Sequence, residues 1–211
     1  MRKLVVFDLD GTLVDTTRLS KESFFSVVGN YGVDVEKIWP IYNKTNGLPF
    51  WERISTVMPD LVSKVDEILA DMIDLHIKNV KKLVTAYPDI IETLEKIDIK
   101  KAILTSRVGE SAFQIIKEIL NHSFDYILTP EMTKLHKPNP EPLLELCARF
   151  KIAPSEAIFI GDTRYDIECG KRAGVATGAV TWGYYKKKDL KKYKPDYIIE
   201  KPSEILNIIE A

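Results

Sequence analysis

The stretch VVFDLDGTLVDT, residues 5–16, decides how the rest of the chain is read. An apolar run ends in two carboxylates, Asp8 and Asp10, one residue apart, and Gly11 follows at once. A buried strand does not ordinarily close on neighbouring carboxylates, because like charges in a low-dielectric setting repel. The partners that would relieve this repulsion must come from elsewhere in the chain.

Working outward, short apolar runs rich in Val and Ile recur at 4–9, 102–105, 126–128, 157–160, 176–180 and 197–199. They are continuous rather than alternating, as strands covered on both faces are. Amphipathic segments at 88–97, 110–120, 140–150 and 166–173 lie between them. Strand and helix in alternation predict an α/β fold, a Rossmann-like parallel sheet with right-handed crossovers. Between the first strand and residue 84 the alternation is missing. There the pattern predicts helices over 18–31, 36–44, 49–58 and 62–83, punctuated by Gly32, Gly47 and Pro59. The expected organisation is a core domain of residues 1–15 and 85–211, interrupted by a small α-helical cap domain of residues 16–84. Trp39, Tyr42, Phe50 and Trp51 are the expected core of the cap.

Composition narrows the functional class. A chain of 211 residues with 45% hydrophobic and 29% charged residues is a globular composition, large enough for one domain with an inserted module. A formal net charge of -1 gives no global attraction to nucleic acid or an anionic membrane. Cys147 and Cys169 match no metal-ligand spacing and are too few for a disulfide framework; both are expected as small buried groups. No stretch approaches the roughly 18 apolar residues of a membrane helix, and the expected compartment is the cytoplasm. The lysine-rich segment 186–194 reads as a solvated surface.

In open parallel sheets ligands bind beyond the carboxyl ends of the strands. The first strand delivers Asp8, Asp10 and Thr12 to that edge, the second Thr105 and Ser106, and the fourth Asp162 with Asp166 four residues on. The stiff loop His136-Lys137-Pro138-Asn139-Pro140 arrives at the same edge, and its context favours Lys137 over Lys134. Clustered carboxylates become tolerable around a shared divalent cation, and oxygen-only ligation favours Mg²⁺. The lysine and the hydroxyls suit the equatorial oxygens of a phosphoryl group.

The set Asp8-Leu9-Asp10-Gly11-Thr12, Thr105-Ser106, Lys137-Pro138-Asn139-Pro140 and Gly161-Asp162 with Asp166 resembles the haloacid dehalogenase-like hydrolase superfamily. The four motifs occur in order and span nearly the whole chain. GDTRYDIECGKRAG and VTWGYY are most similar to its phosphoglycolate phosphatase-type branch, and the helical insertion to its helical cap. The resemblance implies Asp8 as nucleophile and Asp10 as general acid and base. It implies Asp8, the carbonyl of Asp10 and Asp162 as Mg²⁺ ligands, and Thr105, Ser106 and Lys137 as phosphate-binding groups. Asp166 would orient the lysine or a metal-bound water.

The expected function is Mg²⁺-dependent hydrolysis of a small phosphorylated metabolite: a phosphoglycolate-like compound, a sugar phosphate, a nucleotide or pyrophosphate. A phosphomutase shares every motif, and a non-catalytic regulatory protein on the same fold is disfavoured because no core residue is lost. In the cap, Lys44, Asn46 and Arg53 flank a loop around Gly47 and are candidate contacts for the leaving group. No catalytic part is expected for His76, His122 or His136. The chain is expected as a monomer or homodimer.

Overall fold

The computed structural model describes residues 1–210. Six parallel strands form the main sheet: β1 (Leu4–Phe7), β4 (Lys100–Leu104), β5 (Tyr126–Leu128), β6 (Ala157–Gly161), β7 (Ala176–Val180) and β8 (Tyr197–Ile199). Their order is β5-β4-β1-β6-β7-β8. The chain runs outward from β1 through β4 to β5, then crosses back to build the other half from β6. β1 is therefore central, at the point where strand order reverses, with Phe7 paired to both Ile103 and Ile160. That is where open α/β sheets form their binding crevice.

Burial on both faces explains the unbroken apolar runs. Val5, Phe7, Ile103, Ile158 and Ile160 pack into one apolar cluster, whereas Leu4, Val6, Ala102, Leu104 and Phe159 pack into another on the opposite face. This is the two-residue alternation of a strand with both faces covered. The covering helices are α5 (Ile90–Glu95), α6 (Gly109–Ile115), α7 (Glu141–Phe150), α8 (Arg164–Ala173), α9 (Lys187–Leu190) and α10 (Glu204–Glu210). A π-helical turn, Ile116–Leu120, completes the segment predicted as one helix over 110–120.

Helices α1 (Thr17–Val28), α2 (Val35–Asn43), α3 (Phe50–Val57) and α4 (Val65–Leu83) occupy the insertion. They bury an apolar cluster of their own, including Phe24, Val28, Tyr42, Phe50, Ile54, Ile68 and Met72. Trp39 packs against it, but Trp51 turns away and sets its ring edge-on to His136, with ring centroids 5.3 Å apart. A short antiparallel pair absent from the predicted elements, β2 (Val14–Asp15) with β3 (Thr85–Ala86), ties together the two chain segments that enter and leave the helical insertion. Two residues per strand carry too little periodicity to be read from sequence.

The first strand is shorter than the predicted 4–9. The carbonyl of Leu9 accepts hydrogen bonds from the amides of Leu13 and Val14, which curls the chain into a turn, and Gly11 takes a left-handed φ of 79°. Both carboxylates thus sit on the turn that follows the strand.

Candidate active site

Asp8 leaves β1, Thr105 leaves β4 and Asp162 leaves β6, three strands that lie side by side. Adjacency in the sheet is what brings residues more than 90 positions apart to one edge. One oxygen from each of Asp8, Asp162 and Asp166 lies within 4.8 Å of the others, and all three side chains are buried. Lys137, 2% exposed, reaches into this group. Its Nζ lies 3.0 Å from Asp8 Oδ1 and 2.7 Å from Asp166 Oδ1.

The second oxygen of Asp166 is taken by Thr163, which donates through its amide at 3.0 Å and its hydroxyl at 2.7 Å. Thr163 caps α8, and Asp166 in the first turn closes the reciprocal capping box. Asp162, which precedes the cap, faces the cluster. With both oxygens occupied, Asp166 holds the lysine.

Electrostatics in this cluster do not balance. With all three buried carboxylates ionised, the one buried ammonium would leave two negative charges away from water. Burial pushes Asp8 up to about 7 against the opposing pull of Lys137. Burial, then the charges of Asp166 and Asp8, push Asp162 well above the carboxylate range. Lys137 moves up as well: burial alone would lower it, but Asp166 and Asp8 outweigh burial. A divalent cation neutralises this excess and a monovalent one does not. The all-oxygen donor set suits Mg²⁺, and Oδ2 of Asp8 accepts no hydrogen bond from the described residues. The side-chain donors thus fit the ion.

Asp10 has a different environment. Arg107 grips it with Nε at 3.0 Å and 2.9 Å from its two oxygens and Nη2 at 2.6 Å from Oδ1. Thr16 donates its hydroxyl to the same Oδ1. Burial by itself would raise Asp10, but the guanidinium and the hydroxyl outweigh it and hold the carboxyl below its usual range. Asp8 and Asp10 are thereby shifted in opposite directions, Asp8 up and Asp10 down.

Thr105 and Ser106 follow β4. The Thr105 hydroxyl accepts a hydrogen bond from the amide of Arg107 at 3.0 Å. The Ser106 hydroxyl does not face the cluster but donates to the Gly47 carbonyl of the helical insertion at 2.6 Å. Of the three candidates there, Asn46 and Arg53 line the cavity above Asp8, whereas Lys44 is exposed and lines a separate surface cleft with Arg164 and Lys188.

Sequence reasoning passed over four residues. Arg107 directly follows the Thr105-Ser106 pair, a position that could have flagged it. His76 on α4, for which no catalytic part is expected, is buried, with Nδ1 3.0 Å from Nη1 of Arg107 and 3.1 Å from the Ser111 hydroxyl. Burial and then the Arg107 charge push His76 down to about 3. Tyr184 donates its amide to Asp162 Oδ2 at 2.6 Å and meets the Thr16 hydroxyl at 2.9 Å. Trp182 donates its indole N–H to the Thr12 carbonyl at 3.0 Å. The VTWGYY stretch therefore braces both the turn after β1 and Asp162. Cys147 and Cys169 are free and buried, as expected. No helix among the described residues is long and apolar enough to cross a membrane.

Pyrophosphatase PpaX of Bacillus velezensis is 32% identical over 213 residues, covering 97% of this chain and 94% of the relative. Pyrophosphatase PpaX of Bacillus cereus is also 32% identical, over 97% and 95% of the two chains. A haloacid dehalogenase-like family hydrolase from Streptococcus pneumoniae superposes with a TM-score of 0.82 at 28% identity, covering 98% of each chain. A hydrolase from Pseudomonas syringae shares the fold alone, with a TM-score of 0.84 at 20% identity over 99% and 98% of the two chains. The haloacid dehalogenase-like hydrolase family profile matches residues 5–180, and the chain belongs to that family.

Proposed function

We propose that this chain is a Mg²⁺-dependent phosphatase of small phosphorylated metabolites, working through an aspartyl-phosphate on Asp8. The carrying observation is the buried group of Asp8, Asp162 and Asp166 around a single ammonium, Lys137; when fully ionised this group is two negative charges in excess, beside an Asp10 paired with Arg107. The PpaX relatives, named as pyrophosphatases, support hydrolysis at a phosphorus centre. In this reading residues 16–84 are a cap standing over a site carried by residues 1–15 and 85–211.

Asp8, Asp162 and the main-chain carbonyl of Asp10 would hold the cation, which when bound screens the carboxylates and draws charge from the phosphoryl oxygens. Lys137 places its ammonium beside Asp8, where it offsets the charge of the phosphoryl oxygens as well as that of the nucleophile. The hydroxyl of Thr105 and the amide of Ser106 would donate to the same oxygens. An oxygen of Asp8 forms a bond to phosphorus, the bond to the leaving oxygen breaks, and Asp10 supplies the proton that the leaving oxygen needs. Asp10 then takes a proton from water as that water attacks the phosphorus, releasing inorganic phosphate and restoring Asp8. For the first step Asp10 must loosen its contact with Arg107, since a carboxylate gripped this way holds a proton poorly. The insertion, docked through Ser106 on Gly47 and Arg107 on His76, excludes water while the first step proceeds.

The test is phosphate release from a panel of phosphorylated metabolites with Mg²⁺, repeated with Asp8→Asn and with excess chelator. Release should depend on the cation and vanish in the variant. Turnover that survives either treatment would refute the reading. A sugar bisphosphate in the panel separates the phosphomutase alternative, which would return isomerised sugar phosphate instead of inorganic phosphate.

A further inference from the structure

We infer that the leaving group is organic and largely apolar, so that this site prefers phosphate monoesters of such groups over inorganic pyrophosphate. The inference rests on the phosphatase reading above and concerns the half of the cavity that faces away from Asp8.

A partly open cavity lies over Asp8 and Asp10, between the sheet edge and the helical insertion. Leu48, Phe50, Leu69 and Met72 supply the wall on the insertion side, and Val108 extends it on the core side. An inorganic leaving phosphate carries its charge on every oxygen, and burying it needs cationic or charge-assisted donors. Apolar side chains offer none. An organic group gains instead, by the removal of apolar surface from water on both sides.

Cations line this cavity, but the protein itself has engaged them. Arg107 commits Nε and Nη2 to Asp10, and Nη1 to His76 at 3.0 Å and the Ser111 hydroxyl at 2.9 Å. Arg53 donates Nε to the Thr45 hydroxyl at 3.1 Å and Nη2 to Asn46 Oδ1 at 2.7 Å and the Tyr42 carbonyl at 3.3 Å. Its guanidinium also lies over the Tyr42 ring, 3.8 Å from the centroid. Lys44, from the same loop, lines the other cleft. His76 is buried beside the Arg107 guanidinium, a setting that keeps the imidazole neutral. Among the Arg and His groups lining this cavity, Nη1 of Arg53 and Nε2 of His76 remain without a protein partner. One charged donor and one neutral imidazole nitrogen suit a hydroxyl, carbonyl or carboxylate on an organic body and fall short of a whole phosphate.

The experiment measures kcat/KM of the full chain with Mg²⁺ for benzyl phosphate, hexyl phosphate, 2-phosphoglycolate and pyrophosphate. Benzyl and hexyl phosphate leave poorly without help, so their turnover reports binding rather than an activated leaving group. We expect the better of the two to exceed pyrophosphate by about 100-fold or more, the scale on which an apolar pocket discriminates. Leu48→Lys, at a half-buried position, adds a free cation to the wall, and should narrow that ratio at least about tenfold; Met72→Lys is the more deeply buried counterpart. Pyrophosphate turned over as well as either organic ester would overturn the inference while leaving the phosphatase reading intact. A ratio unmoved in folded Leu48→Lys would overturn it too. Failure to hydrolyse any compound would overturn both.

Discussion

Arg107 holds the carboxylate of Asp10 from two sides, with Nε 2.9 Å from Oδ2 and Nη2 2.6 Å from Oδ1. The remaining nitrogen reaches His76 on α4. One side chain thus joins the proposed proton carrier to the helical insertion. It also gives Asp10 a countercharge of its own, whereas Asp8 shares Lys137 with Asp166. Removing the guanidinium in Arg107→Ala should lower kcat/KM by about 10- to 100-fold, less than the roughly 10²- to 10⁴-fold of losing a well-placed acid or base outright, because Asp10 itself remains. Arg107→Lys should recover only part of this, because an ammonium cannot match the bidentate fork. Steady-state kinetics on both variants check it, and wild-type rates in Arg107→Ala would discard the role.

Lys137 is the only ammonium within the carboxylate cluster and is almost wholly buried. Lys137→Ala leaves Asp8 and Asp166 buried without their shared cation. Breaking such a pair costs about 3–5 kcal/mol, readable as a shift of the urea unfolding midpoint in chelator. Unchanged stability would mean that the pair contributes nothing net.

Mg²⁺ should raise the thermal midpoint of the folded chain. Ligand at 100 times its dissociation constant stabilises by about 2.7 kcal/mol. Asp162→Asn should abolish the response, while Glu110→Gln, on exposed surface of α6, should retain it. A midpoint indifferent to Mg²⁺ in the wild type would count against a cation in this cluster.

His76 makes stability depend on pH. Its folded value is pushed down to about 3 from an ordinary 6.5, so the unfolded chain takes up a proton that the folded chain refuses. Stability from this group is complete above 6.5 and is lost as pH falls from 6.5 toward 3. Between pH 7 and pH 5 the loss is about 2 kcal/mol by linkage. His76→Gln should flatten the denaturation midpoint over that interval relative to the wild type. An equally steep curve in the variant would assign the acid sensitivity elsewhere.

Gly47 has φ of 103°, and a Cβ there would come within 2.6 Å of the Tyr165 ring and 2.8 Å of the Thr163 hydroxyl. Gly47→Ala should displace the loop that receives Ser106, lowering kcat/KM about tenfold or more with Mg²⁺ binding retained. Activity equal to the wild type would show that this docking is dispensable.

Much of the architecture was legible in the chain itself. Continuous Val and Ile runs separated by amphipathic segments specify a parallel sheet covered on both faces, because local periodicity reports which sides are buried. The residues of the cluster were legible too, since each ends a strand or opens a helix at the same edge, and strand ends can be read without coordinates. Element boundaries were less so. The turn at Gly11 and the two-residue ribbon of β2 and β3 depend on partners distant in sequence.

The sequence by itself determined that Asp8, Thr105, Lys137, Asp162 and Asp166 would converge. Only the tertiary structure decided how charge is shared among them: Lys137 goes to Asp8 and Asp166, Arg107 goes to Asp10, and His76 is buried against the guanidinium. Tertiary structure alone also placed Arg53 and Asn46 in the cavity and left Lys44 outside it. The physical reason is range. Periodicity and strand ends are local properties, written residue by residue, whereas ion pairing in a buried site depends on a few ångströms between segments nearly a hundred residues apart.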